Sequence, residues 1–201
     1  MTDPQLRRHG LESFLASVPK DAKSSPGVTI EVVPPLGHIN LRGDPNDTAF
    51  LSAAAGVLGE KLPLATNTMT RAVRRIYWLG PDEWLIVTVM EETTGLLLQL
   101  RGSLAGKHAS VTEVSGGQVA LRLAGPKARD VLAKGCSLDF HPNRFKAGDC
   151  AQTALAKANV LIGLVDSEPT YEIIVRRSFA DYLARWLRRA AREYSVGFAA
   201  P

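Results

Sequence analysis

The sequence predicts an α+β fold built from two successive repeats, each with two strands, a helix, about three strands and a second helix. Short segments alternate apolar and polar residues, as at Val119, Leu121 and Leu123, which is the period of a half-buried strand. Longer segments place apolar residues at every third or fourth position, which is the period of a helix. The order of these segments in the first half of the chain recurs in the second half, which indicates an internal duplication.

The first repeat is predicted to cover residues 28–109. Its strands are predicted at 28–33, 38–42, 72–78 and 83–89, and its helices at 48–58 and 93–104. The residues just before position 48 suit a helix cap, and Thr93 or Thr94 could cap the second helix. Pro81 and Asp82 suit a type I turn between the last two strands.

The second repeat is predicted to cover residues 110–195. Its strands are predicted at 110–114, 118–123, 151–157, 160–165 and 171–176, and its helices at 127–134 and 178–194. Gly125 and Pro126 end one strand and suit the start of a helix. Leu41 and Leu123 lie 82 positions apart and Ile86 and Ile174 lie 88 apart, which places equivalent elements at a nearly constant offset.

The two ends of the chain are predicted to lie outside the repeats. Residues 1–27 form a predicted N-terminal arm with one possible short helix at 11–18, and residues 196–201 form a predicted C-terminal tail. Such an arm gains little from folding alone, so we expect it to fray or to lie on a partner.

The composition indicates a cytoplasmic globular protein. Of its 201 residues, 45% are hydrophobic and 22% are charged, and the apolar runs are too short to span a bilayer. The segment 11–18 is too short for the core of a signal peptide and contains Glu12. Two cysteines do not form a disulfide framework, so we expect a reduced compartment.

The last predicted helix carries both an apolar side and a basic side. Ser178 suits its cap, and Trp186 belongs to the predicted core. The apolar side consists of Phe179, Tyr182, Leu183, Trp186, Leu187 and Ala190. The segment 171–194 holds six arginines, at positions 176, 177, 185, 188, 189 and 192. The basic side could meet nucleic acid or an acidic partner, or it could be a solvated face, which is what charged helix faces usually are.

No group of residues has the pattern of a reaction centre. The sequence lacks a glycine-rich phosphate loop, and its histidines at 9, 38, 108 and 141 are scattered. One cluster, formed by Cys136, Asp139, His141 and Cys150, has the residue types of a metal site or a His–Cys pair, but its spacing favours buried structural thiols.

Two further groups are assigned to structure or left open. Asp82 and Glu83 are predicted to form a turn rather than an acid/base pair. Trp78 and Trp84 could be core residues or interface anchors. The sequence therefore predicts no catalytic, cofactor-binding or metal-binding residue in this chain.

Five motifs in order resemble the gamma subunit of heterotetrameric sarcosine oxidase. They are WLGPDEWL at 78–85, LAGPKAR at 123–129, KGCSLD at 134–139, CAQT at 150–153 and RRSFADYL at 176–183. The resemblance covers residues 30–195. It implies a fold similar to the folate-binding domain of the glycine-cleavage T-protein, with duplicated β2-α-β3-α subdomains and swapped first strands.

The resemblance also implies a complex whose other subunits carry the cofactors. The alpha and beta subunits would hold FAD, FMN, NAD and the tetrahydrofolate site, and the delta subunit would hold zinc. The complex would oxidise sarcosine to glycine, with hydrogen peroxide and 5,10-methylenetetrahydrofolate or formaldehyde as products. The gamma subunit of that family has no assigned catalytic residue, so the resemblance carries none over to this chain.

Two functional hypotheses follow. In the first, the chain is a non-catalytic structural subunit that contacts mainly the alpha subunit, without a nucleic-acid or membrane partner. Its sheet edges and N-terminal arm would form that contact, with Trp78, Trp84 and Tyr171 as possible anchors. In the second, the chain is a stand-alone folate-binding protein of the T-protein class that acts in one-carbon transfer or RNA modification.

Overall fold

The computed structural model describes residues 10–18, 26–72 and 74–199. His9 and most of the predicted N-terminal arm lie outside the described residues. The chain divides into a discontinuous unit, Met1–Pro35 with Gly116–Pro201, and a central unit, Leu36–Ser115. The described residues form a six-stranded sheet in the first unit and a four-stranded sheet in the second. The predicted α+β class is therefore confirmed.

The secondary structure follows the predicted order closely. The described strands are β1 (Val28–Val32), β2 (Leu36–Gly43), β3 (Arg75–Gly80), β4 (Glu83–Val89), β5 (Ala109–Glu113), β6 (Gln118–Ala124), β7 (Cys150–Leu155), β8 (Ala158–Leu164), β9 (Thr170–Arg176) and β10 (Val196–Ala199). The described α-helices are α1 (Glu12–Ala16), α2 (Thr48–Leu58), α3 (Thr93–Ser103), α4 (Ala128–Ala133) and α5 (Ala180–Ala190).

The central unit packs α2 and α3 on one face of an antiparallel sheet with strand order β3-β4-β2-β5. The Asp47 side chain caps α2 by accepting hydrogen bonds from the backbone N–H of Ala49 at 2.8 Å and Phe50 at 3.1 Å. Gly59, with a φ of 73°, ends the helix in a left-handed conformation. These two signals fix α2 at its predicted bounds.

The core of the central unit joins this helix to the sheet. Its buried residues are Ile39, Leu41, Phe50, Ala54, Leu58, Leu62, Ile76, Trp84, Ile86, Leu96, Leu97, Leu100 and Leu104. The alternate residues of β2 and β4 contribute to it, as the period of two requires. The cluster therefore follows the apolar pattern read from the sequence.

The discontinuous unit builds its sheet from both ends of the chain, with strand order β10-β1-β6-β9-β8-β7. Strand β1 pairs antiparallel with β6 and parallel with β10, and β5 pairs with β2 of the central unit. The first strand of each predicted repeat thus lies in the sheet formed by strands of the other repeat. The compact units consequently do not coincide with the repeats predicted at 28–109 and 110–195.

The C-terminal segment is more ordered than predicted. Residues 196–199 of the predicted tail form β10, whose Val196 lies opposite Val28 of β1. The backbone N–H of Val28 also donates to the carbonyl of Ser195 at 3.1 Å. The strand forms because β1 offers it free backbone groups, a non-local cause that the short sequence Val-Gly-Phe-Ala does not reveal.

The described part of the N-terminal arm also folds onto its own unit. Phe14 of helix α1 and Leu11, which precedes the helix, are buried in the core of the discontinuous unit. The ring of Phe14 lies 6.2 Å from that of Phe198 in an edge-to-face arrangement. The expectation that the arm frays or lies on a partner is therefore wrong for residues 10–18.

Helix α5 is shorter than predicted at both ends. A 3-10 turn at Arg177–Phe179 leads into it, so Ser178 lies within that turn and makes no side-chain cap. The helix ends at Ala190 rather than Tyr194, and Lys134 Nζ donates to the Ala190 carbonyl. A basic side chain on the last carbonyls is a common way to end a helix. Helix α3 is also preceded by a 3-10 turn, Met90–Glu92, and has no side-chain cap from Thr93 or Thr94.

Glycine 43 gives a direct test of the packing in the central unit. A β-carbon on Gly43 would lie 2.4 Å from the Phe50 ring, whereas one on Gly102 of α3 would meet no atom within 4 Å. We expect Gly43→Ala to lower the free energy of unfolding by about 1–3 kcal/mol through overpacking. We expect Gly102→Ala to raise it by about 0.5–1 kcal/mol through helix propensity. Urea denaturation of both variants measures these shifts, and equal effects would contradict the packing of Phe50 on β2.

Candidate functional site

The predicted cysteine–histidine cluster is not brought together as a site. Cys136 and Cys150 are buried and form no disulfide with a described residue, and Cys136 Sγ lies 3.5 Å from Thr153 Oγ1. His141 is exposed in a loop, where its Nδ1 accepts a hydrogen bond from the backbone N–H of Asn143 at 3.2 Å. A buried thiol and an outward imidazole do not form a nucleophile–base pair.

The rest of the described chain also lacks a cluster of metal ligands. Within residues 10–18, 26–72 and 74–199, no group of three or more His, Cys, Asp or Glu side chains is placed to hold a metal ion. The Asp139 carboxylate instead accepts a hydrogen bond from the backbone N–H of His141 at 2.9 Å. Asp139 and His141 therefore stabilise a loop.

The acidic pair at the β3–β4 connection binds across to β2. Asp82 forms an ion pair with Arg42 at 3.1 Å, and Glu83 Oε1 accepts a hydrogen bond from Asn40 Nδ2 at 2.8 Å. Asp82 lies in the turn as predicted, and Glu83 is the first residue of β4. The two carboxylates have separate partners and do not act as one acid/base pair.

Histidine 38 is the buried histidine of the central unit, with an exposed fraction of 1%. Its Nδ1 lies 3.1 Å from the Leu36 carbonyl, and its backbone N–H donates to Ser115 Oγ at 3.0 Å. These contacts connect β2 to the residues after β5. His38 is therefore part of the strand framework, while His108 is exposed.

Two of the three aromatic residues proposed as partner anchors are core residues instead. Trp84 is fully buried, donates from Nε1 to the Pro63 carbonyl at 2.8 Å, and lies 5.9 Å from the Phe50 ring. Tyr171 is also fully buried, against the rings of Phe140 and Phe145. Trp84 and Tyr171 are thus wrong as anchors, because a partner cannot reach them without unfolding their unit. Trp78 is half-buried.

A charged ladder that the sequence interpretation missed crosses three strands of the discontinuous unit. Arg122 of β6 lies opposite Glu31 of β1 and Glu172 of β9. Its guanidinium contacts Glu31 at 3.2 Å and Glu172 at 3.3 Å, and the Glu172 side chain is completely buried. The detectable signal was a charged residue between apolar neighbours in strands β6 and β9. The partners themselves depend on the strand register, which the sequence did not provide.

The ladder stabilises the register of the sheet. A slip of one residue would place Arg122 on the opposite face and leave Glu172 buried without it. Because the contacts connect β1 to β6 and β6 to β9, they hold the N-terminal strand within the sheet of the C-terminal half. These ion pairs favour one strand register over others, and each charged group of the ladder contacts another member of it.

The basic side of α5 divides into two parts. Arg185 forms an ion pair with Asp181 at 2.7 Å and donates to Ser13 Oγ at 2.9 Å, and its hydrogen bond to Asp181 raises the pKa of the guanidinium. Arg188 donates to the Ser17 carbonyl at 3.1 Å. These two arginines therefore hold α1 on the surface of α5.

The other part of that basic side borders a surface groove of about 670 Å³. The groove is lined by Lys134, Trp186, Arg189, Ala190, Arg192 and Glu193. Trp186 packs against the core, as predicted, but is only partly buried. The groove combines a partly exposed aromatic ring with positively charged side chains.

The described residues contain no helix that is both long enough and apolar enough to cross a membrane.

Comparison with known proteins gives a family and a fold. Residues 42–193 match the model of the family described as "Sarcosine oxidase, gamma subunit family". A curated relative, the sarcosine oxidase subunit gamma of Corynebacterium sp. strain U-96, is 34% identical over 197 residues, which cover 96% of this chain and 93% of the relative.

Two solved structures are similar to this chain. A chain of the heterotetrameric sarcosine oxidase from Corynebacterium sp. U-96 superposes with a TM-score of 0.84 at 31% identity, covering 94% of this chain and 96% of that one. The glycine cleavage system aminomethyltransferase T from Bartonella henselae has a TM-score of 0.64 at 18% identity, covering 86% of this chain and 48% of that one. The second similarity shows the fold alone.

The charged ladder predicts strong coupling between Arg122 and Glu172. We expect Arg122→Met to lower the free energy of unfolding by about 3 kcal/mol, because the buried Glu172 carboxylate loses that cation. The double variant, Arg122→Met with Glu172→Gln, should lose less free energy of unfolding than the sum of the two single losses. We expect this difference, the coupling energy, to be about 1–3 kcal/mol. Denaturant titrations of the full cycle measure this coupling. The exposed pair Lys127–Asp130 is the control, with no measurable coupling expected, and equal coupling in both cycles would contradict the structural role of the ladder.

Tyr171 predicts a defined response to alkaline pH. Burial raises the pKa of Tyr171 to about 12, and its hydroxyl has no hydrogen-bond partner among the described residues. The folded protein keeps the Tyr171 hydroxyl protonated, because its folded pKa lies above the ordinary value. The stability that depends on the neutral hydroxyl is therefore complete below about pH 10 and is lost as the pH rises through about 12. We expect Tyr171→Phe to be at least as stable as wild type at pH 7 and to lose less stability between pH 10 and 12. Unfolding titrations across this range measure both, and identical alkaline losses would contradict the burial of the hydroxyl.

Proposed function

The chain belongs to the sarcosine oxidase gamma subunit family, and we propose that it is the gamma subunit of a heterotetrameric sarcosine oxidase with a structural role. The observation that carries this proposal is similarity along nearly the whole chain to a subunit of such an enzyme, in both sequence and fold. Fold alone would not assign a function, so the proposal also draws on the match to the family model over residues 42–193.

The non-catalytic part of the proposal is supported by how the reactive side chains are used. Asp82 and Glu83 bind residues of β2, and Glu172 binds Arg122 within the sheet. Asp139 and His141 stabilise a loop. A general acid or base must reach a substrate proton, and these groups are already engaged in structural contacts.

The partners and chemistry of the complex form the second part of the proposal. We infer that the chain assembles with alpha, beta and delta subunits, the alpha subunit being its main contact, in the cytoplasm. FAD, FMN, NAD, tetrahydrofolate and zinc would be held by those subunits. The assembled enzyme would convert sarcosine to glycine, with hydrogen peroxide and 5,10-methylenetetrahydrofolate or formaldehyde as products.

The duplicated architecture with swapped first strands is also proposed. Its support is a constant offset between equivalent elements. β4 and β9 each have seven residues, and each is followed by a three-residue 3-10 turn and an eleven-residue helix, α3 or α5. The exchange of β1 and β5 between the two sheets adds to this support.

Assembly is the direct test of the proposed function. We expect co-expression of the chain with the alpha, beta and delta chains of the same source to give one yellow complex containing all four in equal amounts. Size-exclusion chromatography with subunit quantification measures this stoichiometry. A matched expression without this chain should give less intact complex.

Two results would contradict the proposal. One is a complete, stable complex of the other three chains that never incorporates this one. The other is specific binding of tetrahydrofolate by the chain alone, measured by calorimetry, which would favour the stand-alone folate-binding alternative.

A further inference from the structure

Helix α5 presents an exposed row of aromatic and arginine side chains. Tyr182 has an exposed fraction of 37%, Trp186 is half-buried, and Arg189 is exposed. These positions are separated by four and three residues, so they lie along one face of the helix. Phe179, at 43% exposure, continues the row toward the start of the helix. We name Tyr182, Trp186 and Arg189 the α5 stripe.

The other sides of α5 are occupied. Ala180, Leu183, Ala184 and Leu187 are buried in the core of the discontinuous unit. Arg185 and Arg188 bind Ser13 and Ser17 of the N-terminal segment. The α5 stripe is therefore the side of the helix on which a further molecule could dock.

The charges around the stripe are unbalanced. Arg189 and Arg192 form no ion pair with any described residue, whereas the Glu193 carboxylate is bonded to Lys134 Nζ. The groove is thus lined by three cations, Lys134, Arg189 and Arg192, and by one carboxylate, Glu193, which is paired with Lys134. An approaching group that carries carboxylates would find two guanidinium groups available for charge-assisted, bidentate hydrogen bonds.

The aromatic part of the stripe is held in position before any partner arrives. Trp186 lies so close to Gly135 that a β-carbon there would be 2.4 Å from the indole ring. Because glycine allows this approach, the ring packs closely against the residues just after α4 and stays partly exposed. A fixed ring loses little conformational entropy on binding. Tryptophan, tyrosine and arginine are also the residue types that contribute most to protein–protein affinity.

We propose that the α5 stripe binds an acidic segment of another subunit of the oxidase. The inference rests on the proposed function, since it names the surface through which the chain meets a partner. A protein partner is favoured over nucleic acid because Arg185 and Arg188, which would extend a phosphate-binding track along the helix, are already engaged with α1. Exposed aromatic area beside two free arginines is typical of a protein interface core.

A charge reversal with a matched control tests this inference in the co-expressed complex. Arg189→Glu should weaken retention of this chain by roughly 30-fold, the effect expected for loss of an interface hot spot. Arg144→Glu is the control, because Arg144 is exposed in a loop of the same unit and forms no ion pair with any described residue. The control should assemble like wild type. Circular dichroism of both isolated variants should show that each is folded.

The outcomes separate the inference from the proposed function. The complex could retain the Arg189→Glu chain as well as wild type, or lose the Arg144→Glu chain equally. Either result would overturn the inference that the α5 stripe binds a partner and would leave the subunit assignment intact. Failure of the wild-type chain to assemble would overturn both.

A photo-cross-linking experiment identifies the occupant directly. Tyr182 is replaced by p-benzoylphenylalanine in the full chain, and the purified complex is irradiated and digested for mass spectrometry. We expect a cross-linked peptide from another subunit that contains several Asp or Glu residues. A cross-link to a second copy of this chain, to its own residues, or to nucleic acid would overturn the proposal, as would the absence of any cross-link.

Discussion

The pairing of β1 with β6 holds the sheet of the discontinuous unit together. It closes a loop of roughly 90 residues and places an N-terminal strand in the sheet of the C-terminal half. Ile30 and Val32 then reach the core of that unit, and β10 gains a parallel partner at the free edge of β1. The contact between Glu31 and Arg122 follows from the same register. Strand β1 lies between β10 and β6, so its loss would also leave β10 without a partner in the six-stranded sheet.

The charged residues of the chain serve mainly to stabilise its fold. Groups that resemble catalytic pairs in the sequence are engaged across strands or within loops, where they fix register and turns. Helix α5 shows this division within one element. Its core side packs, Arg185 and Arg188 hold α1, and the remaining side presents Tyr182, Trp186 and Arg189 outward. A chain organised in this way is suited to holding a shape against partners.

Local signals allowed the helices and central strands to be predicted, and non-local contacts explain the failures. Helix α2 and strand β4 have their predicted bounds because local features mark them: a side-chain cap begins the helix, and the turn at Pro81 and Asp82 precedes the strand. Strand β10 was missed because its stability comes from β1, far away in the chain. The periodicity of α5 was read correctly, but its aromatic residues lie at the edge of the apolar side. Which of them are buried depends on α4 and Gly135. The charged ladder required a strand register that periodicity does not supply.

We propose that the chain contributes structure and that neighbouring subunits contribute the chemistry. The most direct measurement is hydrogen peroxide release from sarcosine under air, made in parallel on the purified chain and on the complete complex at equal molar concentration. We expect turnover by the complex and a rate for the isolated chain indistinguishable from that of buffer. Sustained peroxide release by the isolated chain, proportional to its concentration and free of other subunits, would contradict this proposal.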